Sequence, residues 1–270
     1  MKTGILLVAF GSSRQLAHLS LRQFDDKVRA RFPGLPSRWA FTSGIIRERL
    51  ADAGKKTDSV TKALQKMWFE KYDHVAVQPL HTVPGAEYSS VLADADAFRS
   101  GSTAFDAVAV GGPLMTGRAD ASRVADAVFA SLPEDRGPHD AVVLMGHGTW
   151  HSGDSAYDAL LMEVQRRDPL VFVATMEGRL TIADVRQRLT AAKAKKALLV
   201  PLLSVPGHHV QKDMAGHGPK SWRSILTDAG LDVQCVMRGM AEYGEFADIW
   251  LDRLAVALDD LHGQRIPPEP

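Results

Sequence analysis

Short, nearly unbroken apolar runs recur along the chain and alternate with longer stretches in which apolar residues return every three or four positions. The runs lie at residues 4–10, 37–42, 74–79, 104–110, 140–145, 170–174, 197–203 and 231–236. Segments such as Ala141-Val142-Val143-Leu144-Met145 and Ala197-Leu198-Leu199-Val200 show no polar face. That is the pattern of parallel strands covered on both sides. Between the runs the pattern is helical. In 181–193, Ile182, Val185, Leu189 and Ala192 share one side, and Thr181-Ile182-Ala183-Asp184 resembles a capping box. A last long helix is predicted over 242–261, with Phe246, Ile249, Leu254, Val256 and Leu258 as its apolar residues. Strand–helix–strand alternation predicts an α/β fold built on parallel sheets. The stretch Leu132-Pro133-Glu134-Asp135-Arg136-Gly137-Pro138 reads as a linker, giving α/β domains at 1–131 and 139–270, and 266–270 reads as a loose tail.

The two sides of that linker resemble each other. Pro79-Leu80-His81-Thr82-Val83-Pro84-Gly85 matches Pro201-Leu202-Leu203-Ser204-Val205-Pro206-Gly207 at five of seven positions, a shift of 122 residues. Val8-Ala9-Phe10-Gly11-Ser12 is similar to Met145-Gly146-His147-Gly148-Thr149 at a shift of 137. Two matches in the same order predict two similar α/β domains facing a central cleft. Ligands in such folds bind beyond the carboxyl ends of the strands.

Composition narrows the chemistry. Lys plus Arg number 32 and so do Asp plus Glu, which argues against a nucleic-acid or membrane-surface binder working through bulk charge. Cys235 is the only cysteine, so disulfide frameworks, thiolate zinc sites and iron–sulfur clusters drop out together. Ten histidines leave imidazole and carboxylate as the available metal ligands. Only six apolar residues, 5–10, follow Met1-Lys2-Thr3-Gly4, fewer than the roughly 7–15 of an export-signal core. The expectation is a cytoplasmic protein; a homo-oligomer is compatible with it.

Three residues stand just past successive strands. His147 lies between Gly146 and Gly148, which let the backbone turn sharply and leave the ring uncovered, as a ligand or a base requires. Glu177 follows the next run; a helix-start acid favoured by the helix dipole is the competing reading. His209, in Gly207-His208-His209-Val210, aligns with Glu87 in the first half, whereas His208 aligns with Ala86. Spacings of 30 and 32 residues amount to about one βα unit each, so each element offers one ligand to one end of the sheet. Such a set suits Co, Fe, Ni or Zn. His151 reads as a residue of the cleft's lip, and His81 and His217 as loop residues. Phe10-Gly11-Ser12-Ser13-Arg14 offers donors and a cation at the first strand–helix junction, either a carboxylate cradle or a plain helix cap.

Five segments stand out together: the opening Ile5-Leu6-Leu7-Val8-Ala9-Phe10-Gly11-Ser12-Ser13, Met145-Gly146-His147-Gly148-Thr149, Met176-Glu177-Gly178, Gly207-His208-His209-Val210-Gln211-Lys212-Asp213-Met214, and Ser221-Trp222. In these five places the chain resembles the sirohydrochlorin cobaltochelatases of the class II chelatase superfamily. The resemblance implies a metal-inserting lyase of cobalamin biosynthesis. Its metal ligands fall on His147, Glu177 and His209, with His147 also the proton acceptor. Phe10, Gly11, Ser12 and Ser13 at the first strand–helix junction, with Glu87 and His208 at the matching turns, are the substrate-binding candidates read from the residues themselves, and the family's single histidine in the last turn leaves His208 and His209 both open as the ligand. It further implies Co2+ as a substrate rather than a permanently bound cofactor, and an octacarboxylate tetrapyrrole as partner, for which Arg14, Arg179 and Lys212 are expected cations. Neither nucleic acid nor membrane is implied. Rival readings are insertion of Fe2+ for sirohaem, a non-catalytic tetrapyrrole or metal carrier, and a metal-dependent hydrolase or oxygenase using the same ligands.

Overall fold

The computed structural model describes residues 1–263, so the expected tail at 266–270 lies outside the described residues. The first half runs β1 (Thr3–Ala9), α1 (Gln15–Arg31), β2 (Ser37–Phe41), α2 (Gly44–Asp52), α3 (Val60–Phe69), β3 (His74–Pro79), α4 (Ala86–Asp96), β4 (Ala107–Val110) and α5 (Arg118–Ser131). The second runs β5 (Ala141–Gly146), α6 (Ser155–Arg167), β6 (Val171–Thr175), α7 (Ile182–Ala191), β7 (Lys196–Pro201), α8 (Trp222–Thr227), β8 (Asp232–Cys235) and α9 (Gly244–Gly263). Every expected strand is present. β4 starts later than its apolar run because the Ala104 N–H still turns back to Gly101 O and the Phe105 N–H to Phe98 O.

All pairings are parallel, and the two sheets have orders β2-β1-β3-β4 and β6-β5-β7-β8, the same topology twice. Continuous apolar strands follow from burial on both faces. In the first sheet Leu6, Val8, Val75 and Val77 pack under α3 and α4, with Ala63, Leu64, Met67, Val91 and Ala95. In the second, Val143, Met145, Phe172, Ala174 and Leu199 pack under α7 and α8, with Val185, Leu189, Trp222 and Leu226. Thr181 caps α7 as its pattern predicts, accepting the Asp184 N–H at 3.2 Å.

The chain forms two compact units, and their limits differ from a cut at 132–138. One contains Met1–Ser13, Arg22–Leu114 and the chain from Ala247 onward; the other contains Arg14–Leu21 and Met115–Phe246. Helix α5 therefore groups with the second unit, where Arg167 of α6 donates to Asp126 and to the Ser122 carbonyl. Most of α9 groups with the first. There Trp250 is fully buried, edge-on to Phe24 at 6.0 Å, and its Nε1–H donates to the His81 carbonyl at 3.4 Å. Val256 does not join that packing and is 59% exposed. Among the described residues no helix is long and apolar enough to cross a membrane.

The internal repeat extends to single hydrogen bonds. The Leu80 N–H donates to Val8 O (2.7 Å), as Leu202 does to Met145 O (2.8 Å). Gly85 to Val83 O and Gly207 to Val205 O are both 2.9 Å. The Ser43 N–H donates to Phe10 O at 3.2 Å, and its counterpart is Glu177 to His147 O at 2.8 Å.

Candidate metal centre

β5 lies between β6 and β7, so the loops that leave these strands emerge along one edge of the second sheet. Backbone bonds tie them together: Met176 N–H to Gly146 O (3.1 Å), Glu177 N–H to His147 O, and Leu202 N–H to Met145 O. Gly148 has φ +80°, and a Cβ built there would sit 1.3 Å from the Glu177 carbonyl oxygen. Only a residue with no side chain lets the two loops approach so closely.

The structure brings two of the three expected ligands together. The His147 and His209 rings stand 5.2 Å apart, centroid to centroid, at 84°. His209 opens a π-helical turn, His209–Met214, in which the Ala215 N–H reaches back to Val210 O at 3.0 Å. Wide turns of this kind frequently mark functional positions. The turn brings Asp213 to His209, with its Oδ2 2.7 Å from Nδ1. His147 Nδ1 is 3.3 Å from the Gly148 carbonyl. With the proton on Nδ1 in each ring, both Nε2 atoms carry a free lone pair. The His208 ring is 5.9 Å from that of His209. Burial pushes its pKa below the usual histidine range, and the Asp213 carboxylate opposes that shift.

Glu177 is linked to His147 through its backbone, while its side chain is exposed. Among the described residues no three His, Cys, Asp or Glu side chains stand together as a metal-holding group. The expected trio is thus a ring pair with an exposed carboxylate on the adjoining loop. The Arg179 side chain is paired with Asp158, whereas Lys212, His151 and His217 are exposed. In the first unit Phe10 is 42% exposed, Gly11 has φ +95°, and Ser12 is buried. Ser13 is exposed there, as is Glu87 in the first turn of α4. His81 lies in the loop between β3 and α4, as expected, with both ring nitrogens buried and without a partner. The sequence alone assigned no role to Asp213 or to Asp154. The i,i+4 spacing of His209 and Asp213 was the available signal for the first.

A family model described as cobalt chelatase (CbiK) matches residues 3–259. The chain belongs to the cobalt chelatase family. Among this chelatase's relatives, the sirohydrochlorin cobaltochelatase CbiKC of Nitratidesulfovibrio vulgaris is 54% identical over 260 residues, covering 96% of this chain and 92% of that protein. The sirohydrochlorin cobaltochelatase of Salmonella typhimurium is 28% identical over 96% of this chain and 97% of its own. The fold of the cobalt chelatase is that of the sirohydrochlorin chelatase SirB from Bacillus subtilis subspecies spizizenii, solved in complex with cobalt. That structure has a TM-score of 0.64 at 15% identity, covering 98% of this chain and 99% of that one.

Proposed function

We propose that this chelatase inserts Co2+ into sirohydrochlorin in corrinoid synthesis, with His147, Glu177 and His209 handling the ion and His147 accepting a proton. The crossed imidazoles of His147 and His209 at one sheet edge carry the reading. Two nitrogens from the protein, completed by the Glu177 carboxylate, leave coordination positions open to attack by pyrrole nitrogens. Co2+ here is a substrate that passes through, and Fe2+ is the alternative cargo for the same ligands.

Insertion exchanges the ion's remaining water and protein ligands for four ring nitrogens and releases two pyrrole protons. Histidine, with a reference pKa of about 6.5, is mostly neutral at pH 7 and serves in turn as ligand and base. As the ion passes to the macrocycle, His147 Nε2 is freed and takes one of the two protons, and the other passes to solvent water. Asp213 keeps the His209 proton on Nδ1, so the Nε2 lone pair stays directed at the metal.

The test is the absorbance change of sirohydrochlorin with Co2+, and in parallel Fe2+, with and without protein. His147→Ala is expected to lower the Co2+ rate by at least about 100-fold with circular dichroism unchanged. A folded variant that turns over at the wild-type rate refutes the assignment.

A further inference from the structure

We propose that Asp154 is a positioning residue: it clamps the His147 loop to the Glu177 loop and so sets where the Glu177 carboxylate meets an ion held by the two imidazoles. The inference rests on the reading of those three residues as the metal-handling set. Asp154 ends a short 3-10 turn, Ser152–Asp154, directly before α6. A carboxylate at such a place ordinarily turns back to the free N–H groups of its own helix. This one makes no capping bond. Its Oδ1 instead accepts the Thr149 N–H at 3.2 Å and its Oδ2 the Arg179 N–H at 3.2 Å.

Those amides lie two residues beyond His147 and Glu177 respectively. Between each ligand and its clamped amide stands a glycine with left-handed φ, +80° at Gly148 and +115° at Gly178. Both are pressed against the joint. A Cβ on Gly148 would strike the Glu177 carbonyl, and one on Gly178 would lie 2.6 Å from Asp154 Oδ1. With the Glu177 N–H donating to His147 O, the two loops are joined on both sides of their glycines.

The first half shows that the backbone frame does not need this carboxylate. Its loops carry the equivalent bonds, Thr42 N–H to Ala9 O and Ser43 N–H to Phe10 O. The place directly before α1, which Asp154 holds before α6, is taken by Arg14, whose side chain accepts no hydrogen bond. There the ligand positions hold Phe10 and Ser43, so no metal ligand has to be placed. The clamp occurs in the half that carries the ligands.

The test compares Asp154→Ala, Asp154→Asn and, as a control on the same helix, Asp158→Ala, which removes only the exposed Arg179 ion pair. Each is measured for Co2+ affinity without tetrapyrrole, by ligand-field absorption, for kcat and KM with sirohydrochlorin, and for thermal unfolding. Asp154→Ala is expected to weaken Co2+ binding about 10- to 100-fold and to lower kcat, with KM for sirohydrochlorin within about twofold of wild type. Asp154→Asn, which keeps one acceptor oxygen, should fall between, and Asp158→Ala should match wild type. Wild-type Co2+ affinity and kcat in Asp154→Ala, or the same losses in Asp158→Ala, overturn the clamp. If Asp154→Ala does not fold, Asp154→Asn decides by the same readouts, and wild-type values there also overturn it. His147→Ala separates the two levels. Should it keep Co2+ binding and turnover, the reading of the site fails. Should it lose both while Asp154→Ala behaves as wild type, only the clamp fails.

Discussion

The carboxyl edges of the two sheets share a backbone but not a chemistry. Strand order is the same, and Leu80, Ser43 and Gly85 make the bonds that Leu202, Glu177 and Gly207 make in the other half. On that common frame Phe10 stands where His147 does, Ser43 where Glu177 does, Glu87 where His209 does, and His81 where Leu203 does. The proposed metal-handling residues thus fall in one copy, just past the ends of strands whose order and pairing the other copy shares. A frame of this kind can be tested by exchanging what differs between the copies.

The largest effect is expected at the paired glycines, Gly11 and Gly148. Alanine at either adopts a left-handed conformation, at about 1–2 kcal/mol. At Gly11 the added Cβ meets the Phe41 side chain at 2.8 Å, and a ring can shift. Overpacking of that sort adds about 1–3 kcal/mol. At Gly148 it meets a backbone carbonyl oxygen at 1.3 Å, and relief requires the His147 and Glu177 loops to separate. Gly148→Ala should therefore lower the urea midpoint well beyond Gly11→Ala and abolish cobalt insertion. Equal shifts for the two would show that the loops are not locked at this contact.

The second effect concerns His81, the position among these four pairs at which the first half holds the imidazole. Both His81 ring nitrogens are buried without partners, and burial lowers its pKa to about 4. The unfolded chain takes up a proton near pH 6.5, whereas the folded chain does so only near pH 4. Stability is therefore lost as pH falls between these values, by about 2 kcal/mol at pH 5. His81→Leu installs the residue of the other half. Urea unfolding at pH 7.5 and pH 5 should then show a smaller acid loss than wild type, with no penalty at pH 7.5. An unchanged acid loss would mean that His81 is protonated in the folded chain.

Much of this frame is legible in the sequence, for definite reasons. Strands buried on both faces must be continuously apolar, so β5 and β7 stand out, and Pro79–Gly85 and Pro201–Gly207 betray the repeat because turn backbones restrict their residues. The grouping of α5 and α9 is not legible: an amphipathic pattern says which side of a helix is buried but not against which sheet. Val256 fits the apolar pattern of α9 yet faces outward, and the nitrogens of a loop histidine such as His81 are buried by neighbours the local sequence does not name. The π-helical turn at His209 differs from an α-helix by one residue in its hydrogen bonding, which six residues of periodicity cannot register. For Glu177 the sequence places the backbone at the sheet edge, while the direction of its side chain depends on packing.

The smallest effect sharpens the comparison at its last position. Behind His209 stands Asp213, and 122 residues earlier stands Val91, which is buried and apolar. Glu87 needs no proton held on a chosen atom, whereas the imidazole proposed as a ligand at His209 does, and a carboxylate accompanies the histidine but not the acid. Asp213→Val, the first-half residue, should weaken Co2+ binding about tenfold, and Asp213→Asn, whose amide oxygen still accepts the Nδ1 proton, should cost only about two- to threefold. Titration of Co2+ into each folded variant measures both. If the valine variant binds as tightly as wild type, the His209 ring is oriented by the turn alone and the 2.7 Å contact adds nothing to metal capture.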